Sequence, residues 1–485
     1  MFDTIERRSS VRWRSMLSVV ACVVLGASCG REARQATSMH HSRTSVLMLT
    51  LCTVRADHLG CYGYERNVTP NLDRLAAEGF RFASVLAQAP WTRSSVAAII
   101  TGMFPRSLNI EDPENKENYR RLHPGFTTLA EVLQAHGYHT IGITANPNTA
   151  AVFGMDQGFD EYDDPGVLWR DDYLQDGVWD SAFVAKRFLE RLSARPADEK
   201  FFAHLVLIDA HVPRRHKLEP DEDDDFELPP RAKRTAADVY DLQLSFLDEN
   251  IGALLRKLED MGRAKDLLVV VNADHGEGLG DQSWMDRGHS RTVYNSTIWV
   301  PWILWHPGLG AHPGTRAGMV QQVDMLPTIL ELLEIDPGEA VRGLSALAGT
   351  SRASDVLGTG ASAPLEHSVV RTQFLRADKG AFVTPEYKLI LNFDHAEKMR
   401  YRLYPRRKVH YFPPPFELYR YRTDPLERED LFGSEPDVAA ELRRAYAEWQ
   451  ASYPPLVGAE ELRMSLDEVH GELHALRALG YVGSD

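Results

Sequence analysis

The sequence predicts an α/β protein with a mainly parallel sheet flanked by helices, followed by a smaller C-terminal α+β unit. Three observations predict it. Continuous apolar runs of strand length recur up to about residue 345, as strands buried on both faces require. Helical patterns separate most of these runs, which is the signature of strand-helix-strand units. Beyond that point the alternation weakens and shorter strand candidates take over.

Taken in chain order, the first element is a leader. Arg7, Arg8, Arg12 and Arg14 precede an apolar run from Met16 to Leu25, followed by the small residues Gly26, Ala27 and Ser28 and then Cys29. That order reads as an export signal over residues 1–29, with Cys29 resembling the acylated cysteine of a bacterial lipoprotein. The apolar run is short for a bilayer span. The expected location is outside the cytoplasm, as a periplasmic or outer-membrane lipoprotein tethered to the membrane through Cys29. Residues 30–44 lack apolar periodicity and read as a linker.

The main domain is expected over residues 45–348. Its first buried strand is Val46 to Leu51, and a helix from Asn71 to Glu78 follows from the spacing of Leu72, Leu75 and Ala76, with Gly79 as its stop. Further strands are expected at His139 to Thr144, His204 to Ile208, Leu267 to Val271 and Ile298 to Trp305. The run from Glu219 to Glu227 holds seven acids and reads as a solvated loop, because it lacks the alternating ligands and glycine turn of a calcium loop. Residues 349–365, rich in Ser, Gly, Thr and Ala, read as a surface crossover. The second unit, residues 366–485, offers strands at Tyr387 to Leu391 and Glu417 to Tyr421 and a helix from Asp437 to Gln450.

Composition narrows the function. The 485 residues carry 54 Lys and Arg against 69 Asp and Glu, a formal charge of −15, with 44% hydrophobic and 25% charged residues. The apolar content is that of a folded protein, and the acidic balance argues against a nucleic-acid partner. Of four cysteines, Cys22 and Cys29 belong to the leader, leaving Cys52 and Cys61 for the folded body. Two cysteines make no disulfide framework.

In open α/β sheets ligands collect beyond the carboxyl ends of the strands. Three such ends carry chemistry. The first strand runs into Cys52, Thr53, Val54, Arg55, Ala56, Asp57 and His58; a second runs into Asp209, Ala210 and His211; a third runs into Asn272, Ala273, Asp274, His275, Gly276 and Glu277. Adjacent Asp274 and His275, before a turn-permitting glycine, could face one cation together.

These segments resemble the sulfatase branch of the alkaline phosphatase superfamily. The resemblance spans roughly residues 45 to 345 and rests on LCTVRADHLGCYGYERNVTPNLDRLAAEGFRF, APWTRSSVAAIITGMFP, NADHGEGLGD and GHSRTVYNSTIWVPWILWHPG, with VDMLPTILELL before the second unit and FELYRYRTDPLEREDLF within it. It implies an alkaline-phosphatase-like fold, a divalent cation and ester hydrolysis. The family's metal-binding Asp at the first strand end falls on Cys52, and a second Asp of many members falls on Thr53. The family nucleophile, a Cys or Ser oxidised to formylglycine, aligns with Thr92 in Thr92-Arg93-Ser94-Ser95-Val96. Threonine cannot yield that aldehyde because its β-carbon bears a methyl group, so no formylglycine is expected.

Relatives in the superfamily use an unmodified Thr as nucleophile, which keeps Thr92 a catalytic candidate; the alternative is a helix N-cap. Asp274 and His275 match the family's second pair of metal ligands. With Thr92 and Cys52 they form the candidate metal set. Cys52 is either a buried apolar thiol or a thiolate that shifts the preference from the family's Ca²⁺ toward Zn²⁺. His211 and His289 fall where sulfatases keep groups that hold ester oxygens and protonate the leaving group. Arg55 and Arg93 are the candidate substrate-binding cations, Arg55 also having a structural reading as a buried ion pair.

Two functions follow. The first is a metal-dependent hydrolase of sulfate or phosphate esters, acting without formylglycine on a sulfated or phosphorylated small molecule or glycan. The second is a sulfatase-fold protein without catalysis that binds anionic glycans or serves in the cell envelope.

Overall fold

The computed structural model describes residues 43–469 except 112–119, 165–178, 213–216, 218, 221–223, 225, 283–286, 310–312, 346, 375–376, 394–398, 401–409, 412–413 and 466–467. The expected leader, with Cys29, lies outside the described residues. Strands β1 (Ser45–Leu51), β2 (Phe80–Leu86), β3 (His139–Thr144), β4 (Glu161–Asp163), β5 (Phe201–Leu207), β6 (Leu267–Asn272), β7 (Trp302–Trp305) and β8 (Gly314–Gln321) form one large sheet. Their order is β8-β2-β7-β6-β1-β5-β3-β4, with the short strand Trp299–Val300 paired to β2.

All pairs along that order are parallel except the two made by β7. β1 lies between β5 and β6, and all seven of its residues are buried. That burial explains its unbroken apolar run, each Val or Leu being worth roughly 1.5–3 kcal/mol when fully removed from water. The alternating helices include Pro70–Glu78, Ser181–Ser193 and the long Ala236–Asp260.

The expected strand over Ile298 to Trp305 is corrected. Asn295–Ile298 is a helical turn, Trp299–Val300 pairs with β2, and β7 begins only after Pro301. Proline has no amide proton for a ladder. The amide of Trp302 is satisfied instead by the Tyr62 hydroxyl at 2.9 Å. The crossover is also less superficial than expected. Arg352 within it is buried and its Nε donates to Asp324 Oδ2 at 2.9 Å, while the amide of Thr350 donates to Asp324 Oδ1 at 2.8 Å.

A second sheet is antiparallel, in the order β9 (Ser368–Phe374), β10 (Ala377–Val383), β11 (Lys388–Asn392), β12 (Phe416–Tyr419). Helix Pro436–Ser452 covers it through Ala439, Leu442, Tyr446 and Trp449. The same apolar cluster includes Ala98 and Phe104, so this sheet packs directly behind the helix Thr92–Thr101. A buried ion pair pins it further. Lys388 Nζ contacts Glu427 and donates to Asn295 Oδ1 at 2.8 Å, and the amide of Asn295 donates to Glu427 Oε2 at 2.6 Å.

Two outcomes follow from this packing. Removing one partner of a buried pair strands the other charge, so Lys388→Met should lower the unfolding free energy by about 3–5 kcal/mol in urea titrations. The double variant Lys388→Met, Glu427→Leu should recover most of the loss.

The second concerns pH. In β5, the His204 ring is buried and bonded to Thr50 Oγ1 at 2.8 Å; burial pushes its pKa down to about 4. The unfolded ring takes up a proton near pH 6.5 and the folded ring does not until about 4, so stability present above 6.5 is lost as pH falls through that window. His204→Gln should remove this component, about 2 kcal/mol of the loss between pH 6.5 and 5. Parallel acid limbs for the two proteins in chemical denaturation would refute it.

Candidate functional site

The site lies beyond the carboxyl ends of β1, β3, β5 and β6. Parallel register puts Thr50 beside both Val206 and Asn272, so Cys52, Asp209 and Asp274 leave the sheet at nearly the same level. β3 delivers a fourth end, Asn146, through its pairing of Thr144 with Val206. Opposite them stands the helix Thr92–Thr101, whose ten residues are all buried.

Thr92 is the first residue of that helix and Trp91 is its N-cap. This corrects the N-cap reading of Thr92. Its hydroxyl instead faces the strand ends: Asn146 Nδ2 donates to Thr92 Oγ1 at 3.1 Å, and His275 Nε2 lies 3.3 Å from the same oxygen. Asn146 Nδ2 also reaches Cys52 Sγ at 3.5 Å. One amide thus spans the two candidate positions.

Asp274 is oriented by backbone. Its Oδ1 accepts from the amides of Thr53 at 3.0 Å and His275 at 2.8 Å, which turns Oδ2 toward the interior. There Oδ2 has no hydrogen-bond donor and lies 3.3 Å from His275 Nε2. His275 Nδ1 is 2.8 Å from the Gly276 carbonyl. A carbonyl only accepts, so Nδ1 carries the proton and Nε2 presents a lone pair. Burial, ahead of all other causes, pushes the His275 pKa down and keeps the ring neutral.

Asp274 Oδ2 and His275 Nε2 therefore face each other as acceptors, and the Thr92 hydroxyl donates to Nε2 at 3.3 Å. A carboxylate oxygen without a donor, 3.3 Å from a ring lone pair in a dry interior, is stabilised by a positive charge placed beside it. These residues fit a cation. Thr53 adds to the picture: it is a β-branched residue in the left-handed region, φ 62°, with a buried hydroxyl that lacks a partner. Strain of that kind collects at functional sites. Among the described residues no three His, Cys, Asp or Glu side chains stand together as metal ligands, so the set combines one carboxylate and one imidazole with hydroxyls. Burial, then the nearby Asp274 charge, pushes the Cys52 thiol well above its usual range. Without a cation beside it, Cys52 is a neutral thiol.

A second layer contains three imidazoles. The His275 and His289 ring centres are 4.5 Å apart and those of His289 and His211 are 4.9 Å apart. Glu277 Oε2 lies 3.2 Å from His289 Nδ1, fixing that tautomer. His211 bonds through Nδ1 to the Val212 carbonyl. Burial first, and the His289 ring second, push the His211 pKa down to about 3. It is a neutral ring near pH 7. Asp209 accepts from the Ser181 amide and hydroxyl at 3.1 and 2.9 Å, holding the start of the helix Ser181–Ser193.

The two arginines are engaged elsewhere. Arg55 makes a two-pronged pair with Asp57 at 2.9 and 2.7 Å, meets Asp281 at 2.7 Å and donates to the Glu277 carbonyl at 3.2 Å. Its guanidinium braces the loop after β1 against the loop after β6. Arg93 is buried, stacked on Phe153 at 3.5 Å, and donates to Asn148 Oδ1 at 3.1 Å.

Asn146 escaped the sequence reading, and Glu277 is named there at its strand end without a role. Asn146 ends β3, so the strand-end rule applied to a fourth strand would have found it. Glu277 lies inside the quoted NADHGEGLGD motif, and only its burial beside His289 marks it out.

Comparison with known proteins bears on the family and the fold. The sulfatase family profile matches residues 45–335. Human arylsulfatase A is 28% identical over 318 residues, which cover 56% of this chain and 61% of the relative. The match thus spans less than two thirds of that relative's length. An N-acetylglucosamine-6-O-sulfatase of Bacteroides thetaiotaomicron is 20% identical over 517 residues, covering 84% of this chain and 85% of the relative. The crystal structure of a phosphonate monoester hydrolase of Agrobacterium radiobacter superposes with a TM-score of 0.63 at 16% identity, covering 85% of this chain and 96% of that one. That likeness is one of fold.

Proposed function

Because this chain belongs to the sulfatase family, we propose that it is an ester hydrolase in which the Thr92 hydroxyl attacks a sulfate or phosphate ester. The observation that carries the reading is the convergence of Thr92 Oγ1, His275 Nε2 and the unpaired Asp274 Oδ2. Asp274, His275 and Thr92 would hold a divalent cation; Cys52 does not stand with Asp274 and His275 as a third ligand here, and it would favour Zn²⁺ over Ca²⁺ only by turning toward them and losing its proton. Bound there, the ion would supply positive charge to the ester oxygens and lower the hydroxyl pKa.

The chain's own residues do the rest. Asn146 Nδ2 donates to Thr92 Oγ1 and holds it on the interior side of the helix start. The helix N-terminus favours an anionic ester. Attack of Oγ1 on sulfur or phosphorus forms a covalent threonine ester and breaks the bond to the leaving oxygen. With the Nδ1 proton held by Glu277, His289 Nε2 presents a lone pair that takes the proton given up by Thr92 Oγ1 and passes it to the leaving oxygen. Water then cleaves the threonine ester, releasing sulfate or phosphate. The β-methyl of Thr92 excludes an aldehyde, so this route runs without formylglycine.

The substrate class in this reading is a sulfated or phosphorylated small molecule or glycan. Support comes from the relatives' names, an N-acetylglucosamine-6-O-sulfatase and a phosphonate monoester hydrolase. One observation favours the second reading, glycan binding without turnover: Thr92, Asp274 and His275 each have 0% exposure.

The test uses p-nitrophenyl sulfate, p-nitrophenyl phosphate and bis(p-nitrophenyl) phosphate, with chelator-stripped protein and with added Zn²⁺ or Ca²⁺. Wild-type turnover is expected with Zn²⁺ on at least one ester, falling at least about a thousandfold in Thr92→Ala and partly retained in Thr92→Ser. No turnover with any probe, together with retention on a sulfated-glycan column, would establish the second reading instead.

The chain is exported in the same reading and held to a membrane by a lipid on Cys29. Support comes from the basic start, the apolar run and the small residues before that cysteine. Among the described residues no helix is long and apolar enough to cross a membrane. Cys29→Ser should move the protein from the membrane fraction to the soluble one; an unchanged distribution would rule the lipid anchor out.

A further inference from the structure

We infer that two buried glutamines, Gln88 and Gln322, position the Asp274 and His275 pair and make β9 of the second sheet part of the framework of the site. The inference rests on the reading of Asp274 and His275 as the cation-binding pair.

The starting point is the turn after β6. Asp274 and His275 can face the same interior point only if the backbone of Ala273 and Asp274 is held in one orientation. Both carbonyls meet a single nitrogen. Gln322 Nε2 donates to Ala273 O at 2.6 Å and to Asp274 O at 2.7 Å. The two protons of one amide are thus spent on consecutive carbonyls. Gln322 Oε1 is used as well, accepting from the amide of Gln88 at 3.1 Å.

Gln88 extends the chain of bonds in two directions. Its Oε1 accepts from the amide of Val323 at 3.2 Å, which locks the two glutamines into one unit. Its Nε2 donates to Ser368 Oγ at 3.1 Å, and its carbonyl accepts from the amide of Arg371 at 3.0 Å. Ser368 and Arg371 are β9 residues. Gln88 also stands four positions before Thr92 in the chain, so the pair that holds Asp274 also anchors the segment leading to Thr92.

An independent contact from the same strand reaches the His289 side. Thr372 Oγ1 donates to the carbonyl of Ser290 at 3.0 Å, and the amide of Ser290 donates to the carbonyl of Pro90 at 2.7 Å. Ser290 lies in the left-handed region, φ 73°, an uncommon conformation for a residue with a side chain. Held from both sides, it sets the direction in which His289 leaves the chain. β9 therefore touches three arms: the segment before Thr92, the turn of Asp274 through the glutamines, and the residue after His289.

Only an amide side chain meets these demands. Both glutamines have 0% exposure, so an unmet carbonyl there could not turn to water. Glutamate at position 322 would set a carboxylate oxygen against two carbonyls. Methionine has the length and neither the donor nor the acceptor. Buried glutamines can also be plain structural glue, and the experiment must separate the two roles.

Full-length protein carrying Gln322→Met is compared with wild type and with Leu258→Ala, a core change in the helix Ala236–Asp260 chosen to match the loss of thermal stability. Two readouts are taken: the ¹⁵N shifts of the His275 ring in chelator-stripped protein, and Zn²⁺ affinity by chelator competition. Gln322→Met should move the His275 Nδ1 and Nε2 resonances and weaken Zn²⁺ binding at least tenfold, while Leu258→Ala leaves both at wild-type values. Should Gln322→Met not fold, Gln322→Asn, one methylene short of the two carbonyls, takes its place with the same expectation. Unmoved His275 resonances in a folded Gln322 variant would overturn the inference and leave the glutamines as structural glue. If wild-type protein takes up no Zn²⁺, the cation reading fails, and the His275 shifts alone decide whether the glutamines position the ring.

Discussion

The site depends on one constraint, the parallel register of β1 between β5 and β6. Because Thr50 lies level with both Val206 and Asn272, three chain segments leave the sheet together, and their side chains meet without any long loop having to be ordered. The bond from the Thr53 amide to Asp274 Oδ1 is the first product of that register, made between two strand ends 221 residues apart in sequence. Thr53 adopts a strained backbone to make it. The Tyr240 hydroxyl, which donates to the Thr53 carbonyl at 2.7 Å and accepts from the Arg55 amide at 3.0 Å, holds that strain in place from the long helix. Strain of a kcal/mol or more persists only where the surroundings over-determine it. Here both peptide groups flanking the turn are clamped.

Replacement of a carboxylate by Cys52 changes the electrostatics of that junction. A second carboxylate beside Asp274 would place two like charges in a dry interior, which a resident cation must neutralise. A neutral thiol removes that requirement. The raised Cys52 pKa and the lowered His275 pKa are both consequences, first of all, of burial.

Much of the fold was legible because burial on two faces leaves an unmistakable mark. The runs at Val46 to Leu51 and His139 to Thr144 became β1 and β3 with ends shifted by at most one residue. β2 and β8 were not legible: FRFASVL mixes polar and apolar residues, and the GTRAGMVQ strand is exposed over its first half. The break at Pro301 was readable in principle, since proline argues against a continuous strand. At the site, residues named by motif came together, among them Cys52, Thr92, Asp274, His275, His289 and His211. What no motif could show is who holds whom. Arg55 is spent on Asp57 and Asp281, and the partners of Thr92 and His289 are Asn146 and Glu277, ordinary polar residues until the sheet brings them into contact.

The second sheet gains a physical meaning from the same contacts. A helix whose ten residues are all buried cannot be covered by the main sheet alone, and the apolar cluster of Ala98, Phe104, Val369, Phe382 and Leu389 closes its far side. Once that surface is buried, every polar group along the junction must find a partner within the protein. Gln88, Gln322, Ser368 and Thr372 answer that demand, with bonds that tie the segment before Thr92, the turn of Asp274 and the residue after His289 to the second sheet. The apolar packing supplies the stability and the polar contacts supply the geometry. Hydrogen bonds specify direction where hydrophobic burial does not, so the position of the acceptor cluster is set as much from behind, by the second sheet, as from below by the strand ends.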